Sequence, residues 1–176
     1  MSVITVERPW LEFDLGAEIQ VLSWALNRPG FIHASRILWR EVRNADLPVG
    51  FDVSSWLSSE LRARKAEDAV ALLTSRDIRQ FREHTAEVGG VNAHALATVG
   101  FSNAERVGHR VDRSGQDWGA INVAVRLNTG LTQAALLEAM SIAVQARTAA
   151  VMDTVLEINT GIATGTGTDC VAIASP

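Results

Sequence analysis

The stretch Ala163-Thr164-Gly165-Thr166-Gly167-Thr168-Asp169 gathers groups able to do chemistry. Its two glycines let backbone N–H groups come close to a ligand. Three threonines add hydroxyls, and one carboxylate stands where an apolar run begins. Together these make a candidate cradle for an oxyanion with a carboxylate beside it. The stretch lacks the lysine and the spacing of a phosphate-binding P-loop. A second explanation needs no function: an Asp after a Gly/Thr turn can simply satisfy nearby backbone N–H groups.

Three further stretches bring polar groups to strand ends. Ala97 to Asn103 carries Thr98 and Asn103, and Leu22 to Asn27 carries Ser23 and Asn27. Trp118 to Val123 places Asn122 inside an otherwise apolar run. A buried Asn must find partners, as a structural tie or as an aimed donor, and both readings stand. The histidines are His33, His84, His94 and His109, and they show no metal-ligand spacing. No H-E-x-x-H helix and no G-x-S-x-G elbow occurs, so neither a zinc hydrolase nor an α/β-hydrolase is indicated. No bound metal is expected. His84 and His109 sit in polar context and are expected in solvent, while His94 could point into a site. Cys170 is the only cysteine, which excludes an internal disulfide and a Cys-based zinc cluster. Five Trp accompany no Tyr. Their flat faces could stack on a large planar group, or simply serve in core and rim.

The elements that must position these groups fit one domain over residues 1–176. Hydrophobic residues make up 47% and charged residues 20%, an ordinary globular balance. The net charge of -4 gives no basic face for nucleic acid or an anionic membrane. The first eight residues mix charges early and do not read as a signal peptide. No run of 18 apolar residues suggests a spanning helix. A reducing cytoplasm is the expected setting.

Strands are expected at 3–6, 11–15, 19–24, 36–42, 70–74, 91–101, 118–127 and 169–174, from β-branched or alternating patterns. Asn27-Arg28-Pro29-Gly30 is a turn. A helix is expected over 54–68, capped by Ser54 or Ser55. Residues 77–87 fit either state, and 102–117 form a surface loop. The clearest element is a helix from Thr132 to about Leu156, with apolar residues at helical spacing and many alanines. Strands in runs with a long late helix predict an α+β fold. Its sheet should be largely antiparallel or mixed, packed against the alanine-rich helix.

Three motifs, "ATVGFSN", "GAINVAVRLNTGLTQAALLEAMSIAVQARTAAV" and "ATGTGTD", follow one another in this chain. In that order they resemble the adenosylcobinamide amidohydrolase family, which carries similar T-V-G-x-S-N, G-T-I-N and T-G-T-G-T-D segments. Weaker likeness covers "VLSWALNRPGF" and "ALLTS", so the resemblance spans most of residues 20–174. The chain departs from the family pattern at Arg28-Pro29, where Gly-Gly is usual. It also has Arg147 where Lys is usual and Ala120 where Thr is usual. Arg147 keeps the charge but rules out an amine nucleophile, so it serves if that position pairs with a carboxylate.

The resemblance implies that adenosylcobinamide and water give adenosylcobyric acid and 1-aminopropan-2-ol. The cobalt corrinoid is then the substrate, and no cofactor is expected. For this reaction Asp169 is expected to activate water or orient a Thr, with Thr168 beside it and Ser23 a rival nucleophile. The N–H groups of Gly165, Thr166, Gly167 and Thr168 are expected to hold the oxyanion. Asn122, Asn103, Thr98 and Asn27 are expected to hold the substrate. Competing readings are a corrinoid binder without catalysis, an amidase for another small amide, and a nucleotide-binding module. A homodimer is expected from base rates.

Overall fold

Fourteen residues, Trp10–Ser23, form the strand (β2) around which the other elements assemble. The structure, a computed structural model, describes residues 3–43, 46–48, 50–111 and 119–176. Leu11, Phe13, Leu15, Ile19 and Val21 all turn to one buried face. Gly16, at φ 81°, and a register shift between Asp14 and Ile19 bulge the strand midway. The Asp14 carboxylate accepts the Gly16 N–H at 2.7 Å. A bulge bends a strand without ending it. The two strands expected at 11–15 and 19–24 are therefore one.

Strand β1 (Val3–Glu7) lies antiparallel to the first half of β2, and β3 (Gly30–Glu41) runs along both halves. Strand β4 (Val70–Thr74) adds parallel to β3. On the other side of β2 come β12 (Cys170–Ser175), β8 (Ile121–Leu127), β6 (Val91–Val99) and β5 (Arg82–Val88). The order is β4-β3-β2-β12-β8-β6-β5, with β12 parallel to β8 and antiparallel to β2. The sheet is thus mixed and the fold α+β, as expected. Residues 77–87, ambiguous in sequence, are a 3-10 turn (Ile78–Gln80) followed by β5. Trp118, assigned to a strand from sequence, lies outside the described residues, as does 112–117 of the expected loop.

Both helices cover the same face of the sheet. Helix α1 (Val53–Ala63) sets Leu57 and Leu61 against Trp10, Leu38 and Ala71. Its cap is Asp52, whose side chain accepts the Ser55 N–H, and not Ser54 or Ser55. An ionised carboxylate caps at least as well as a hydroxyl. Helix α2 (Gln133–Asp153) begins at Thr132 as expected, the Thr132 hydroxyl accepting the Ala135 N–H. Its Leu136 packs with Leu22, Val171 and Ile173. With 21 residues and a mean hydropathy of 1.2, α2 has the length and composition to cross a membrane, although no unbroken apolar run signals it. Here it lies on the sheet.

The opposite face packs on itself. Trp39 and Leu72 from β3 and β4 share a core with Leu96 and Ala124 from β6 and β8. The sheet must curl to bring these together. At one end of the curl the Asn122 side chain donates to the Leu73 carbonyl at 2.6 Å, joining β8 to β4.

Candidate active site

Strands β2 and β6 end, and β8 and β12 begin, at the same rim of the curled sheet. Residues 24–29, 100–103, 119–120 and 163–169 collect there. Short strands draw the last of these inward: β11 (Gly165–Thr166) pairs antiparallel with β7 (Ala104–Glu105). The Thr164 N–H and the Val107 N–H tie the same two segments, to the Glu105 carbonyl and the Thr164 hydroxyl.

Asp169 is the hub. Its Oδ2 accepts from Arg147 Nη1 at 2.6 Å and from the Thr166 N–H at 2.9 Å. Its Oδ1 accepts from the Ile121 N–H at 2.9 Å and from the Thr166 hydroxyl. Four donors on one carboxylate, 6% exposed, fix its orientation and fill its lone-pair sites. Gly165 is there for want of room: a Cβ would stand 2.6 Å from Asp169 Oδ2. The Arg147 guanidinium comes from α2 and pairs with a carboxylate, the arrangement in which Arg can stand for Lys.

A second knot lies beside the first. The Thr168 hydroxyl donates to the Gly119 carbonyl and accepts from Asn103 Nδ2 at 3.0 Å. The Gly167 N–H reaches the Asn103 carbonyl at 3.4 Å. Gly119 carries no side chain because a Cβ would lie 2.7 Å from both Asn103 Oδ1 and the Ser102 hydroxyl. The N–H groups of Thr166 and Gly167, expected to cradle an oxyanion, thus have partners inside the protein.

An open cleft of about 450 Å³ runs over the first of these knots, walled by Glu105, Arg106, Arg147, Gly165, Thr166 and Asp169 among others. Of the hydroxyls proposed for catalysis or binding, Thr166 stands in this wall. Its proton donor function is directed at Asp169, which is the arrangement of a nucleophile beside a base. Glu105 brings a second carboxylate, set against Gly167: a Cβ there would meet Glu105 Oε1 at 3.0 Å.

The residues expected from sequence divide into groups. Gly165, Thr166, Gly167, Thr168, Asp169 and Asn103 come together. Ser23, Thr98 and Asn122 lie within the curl, buried to 4%, 0% and 1% exposure. The Ser23 hydroxyl accepts from the Ala25 N–H, and Thr98 Oγ1 and Asn122 Oδ1 have no partner among the described residues. Asn27 spends both ends of its amide on backbone beside β4, donating to the Ala69 carbonyl at 2.9 Å and accepting the Ala71 N–H at 2.8 Å. His33, His84 and His109 are exposed. His94 sits mid-sheet, its ring edge-on to Phe13 and its Nε2 3.1 Å from Glu83. Among the described residues no three His, Cys, Asp or Glu side chains are grouped to hold a metal ion. Cys170, first residue of β12, is buried, and burial pushes its thiol up to about 12.

Two residues did not stand out from sequence as site residues, Glu105 and Trp24, and Arg147 stood out only through the family resemblance. A signal existed for Arg147, since the only other charges in α2 are Glu138 and Asp153. A lone Arg in an apolar helix calls for a buried partner. Glu105 carried no signal, because only the pairing of β7 with β11 brings it to the loop. Comparison with protein families agrees with the motifs: the family model described as adenosylcobinamide amidohydrolase matches residues 2–176. No curated protein matches the chain.

Proposed function

This chain belongs to the adenosylcobinamide amidohydrolase family, and on that premise we propose that it cleaves the amide joining the aminopropanol arm to the corrin ring, using Thr166 and Asp169. It is an amidohydrolase with a corrinoid substrate. The finer reading gives adenosylcobyric acid and 1-aminopropan-2-ol, with water consumed. The observation that carries it is the Thr166 hydroxyl on Asp169 Oδ1, held by Arg147 on Oδ2, in the wall of an open cleft.

In the reaction Asp169 takes the Thr166 hydroxyl proton as Oγ1 attacks the amide carbon. The proton passes to the amide nitrogen, the C–N bond breaks, and 1-aminopropan-2-ol leaves. The acid is now an ester of Thr166. Water attacks this ester, giving its proton to Glu105 or Asp169, and that proton restores the Thr166 hydroxyl. Arg147 holds the carboxylate throughout. The scheme needs no cofactor, because the cobalt belongs to the substrate. Thr168 and Asn103 position the loop, the Thr168 proton being directed at the Gly119 carbonyl. Ser23 lies beneath the rim and supports it.

The test is incubation of the purified protein with adenosylcobinamide, without ATP or added metal, followed by mass spectrometry for both products. Thr166→Val should lower turnover by at least about 10³-fold, the loss typical of removing a nucleophile's chemistry, while Thr166→Ser retains it. Hydroxylamine should trap the ester as a corrinoid hydroxamate. Normal turnover by Thr166→Val, with loss in Thr168→Val or Ser23→Ala, would move the nucleophile to one of those hydroxyls.

A further inference from the structure

The cleft at Asp169 holds about 450 Å³. That suits a drug-sized ligand or one arm of a larger one. A corrin macrocycle with its peripheral side chains and adenosyl group is much larger. If the arm enters the cleft, the ring must lie outside it, on the rim, and needs a flat surface there.

One residue hydrogen-bonded to Asp169, set outside the walls of the cleft, has the required form. Trp24 follows β2 directly and is 47% exposed. The other tryptophans among the described residues are spent elsewhere. Trp39 is fully buried, Trp10 is 6% exposed, and Trp56 packs with Phe51 and beneath the Arg40 guanidinium. Trp24 is exposed yet not loose. Its indole N–H donates to the Asp169 carbonyl at 2.8 Å. The ring is pinned at its polar edge to the residue whose carboxylate organises the cleft. About half of the side chain is left to solvent. Leu26, 51% exposed, extends the apolar surface on the same loop. A large apolar ring held rigid in water is unfavourable for the free protein. The same rigidity lets it bind a flat ligand with little further loss of entropy.

We infer that Trp24 is the platform on which the corrin ring lies while the amide arm reaches Thr166 and Asp169. The inference rests on the corrinoid reading above and adds to it a residue that recognises the ring rather than the scissile bond. Trp24 is a positioning residue, so its removal acts on affinity. Because the platform holds substrate and product alike, adenosylcobyric acid should bind through it too.

The experiment compares the native protein with Trp24→Ala, Trp24→Phe and Trp24→Leu. It measures adenosylcobyric acid binding by equilibrium dialysis and KM and kcat with adenosylcobinamide. Trp24→Ala and Trp24→Leu should weaken product binding roughly tenfold or more and raise KM in parallel, the loss falling on KM rather than kcat. Trp24→Phe keeps a flat face without the N–H and should recover most of the affinity. Circular dichroism and melting temperature check folding, and if Trp24→Ala does not fold, the Phe and Leu pair decides alone. Product binding within twofold of native in Trp24→Leu overturns the platform, as does a Phe variant as weak as Leu. Cleavage by the native protein with no dependence of KM on Trp24 sinks the platform and leaves the amidohydrolase reading standing. Binding that depends on Trp24 without cleavage sinks the mechanism and leaves the platform. A native protein that binds no corrinoid sinks both.

Discussion

At the scale of single residues the site turns on one ion pair. Arg147 and Asp169 are both largely buried, so removing one partner strands the other's charge in a poor solvent. Arg147→Ala should cost about 3 kcal/mol of stability, and Arg147→Ala with Asp169→Asn should recover part of that loss. Urea unfolding of the four proteins in a double-mutant cycle measures the coupling, and purely additive losses would show that the pair does not interact. Cys170 offers a second check. Its thiol is pushed up to about 12 by burial, from 9.0 in the unfolded chain. The folded state therefore favours the protonated form. Its advantage is whole below pH 9 and drains away as pH rises towards 12. Alkylation by iodoacetamide at pH 8 should track unfolding, and rapid labelling of the folded protein would contradict the burial. Much of this scale was legible beforehand. Gly165, Thr166 and Asp169 are neighbours in the chain, so local chemistry announces them. The sequence allows Asn122 to be a tie or an aimed donor; its amide N–H ties the curl at the Leu73 carbonyl, while its Oδ1 has no partner among the described residues. Nothing local distinguishes the two, because Leu73 is remote in sequence.

At the scale of elements α2 was the easiest to foresee and β2 the hardest. Helical periodicity survives the packing of α2, and Thr132 marks its start. The bulge at Gly16 disguised β2 as two strands, since a bulge interrupts the alternation that identifies a strand. Glu105 was hidden for the same kind of reason: β7 and β11 have two residues each, too few to leave a pattern. Two substitutions test the ends of α2. Thr132→Ala should destabilise by about 1 kcal/mol through loss of the cap. Val155 has φ of 53° just past the helix, a left-handed conformation that a β-branched side chain resists. Val155→Gly should stabilise by about 1 kcal/mol. Thermal melts of both should move in opposite directions, and a lower melting temperature for Val155→Gly would contradict the strain.

At the scale of the whole molecule α2 also presents an apolar outer face. Leu137 is 54% and Ile142 59% exposed, and the one charge between Glu138 and Asp153 is Arg147, which turns inward to Asp169. Ile142→Glu, set on this exposed face, should leave the melting temperature nearly unchanged, and a marked fall would show that Ile142 is packed. The order of the sheet carries a different consequence, for synthesis. Strand β12 follows both β2 and β8 in the chain, yet lies between them in the sheet. Until residues 170–175 leave the ribosome, β2 and β8 each hold an open edge with nothing between them. Unpaired edges invite association with other chains, and at about 5–20 residues per second the wait lasts many seconds. The nascent chain should therefore be a client of chaperones that shield strand edges, and the loop from Gly165 to Asp169 takes its place as those edges close.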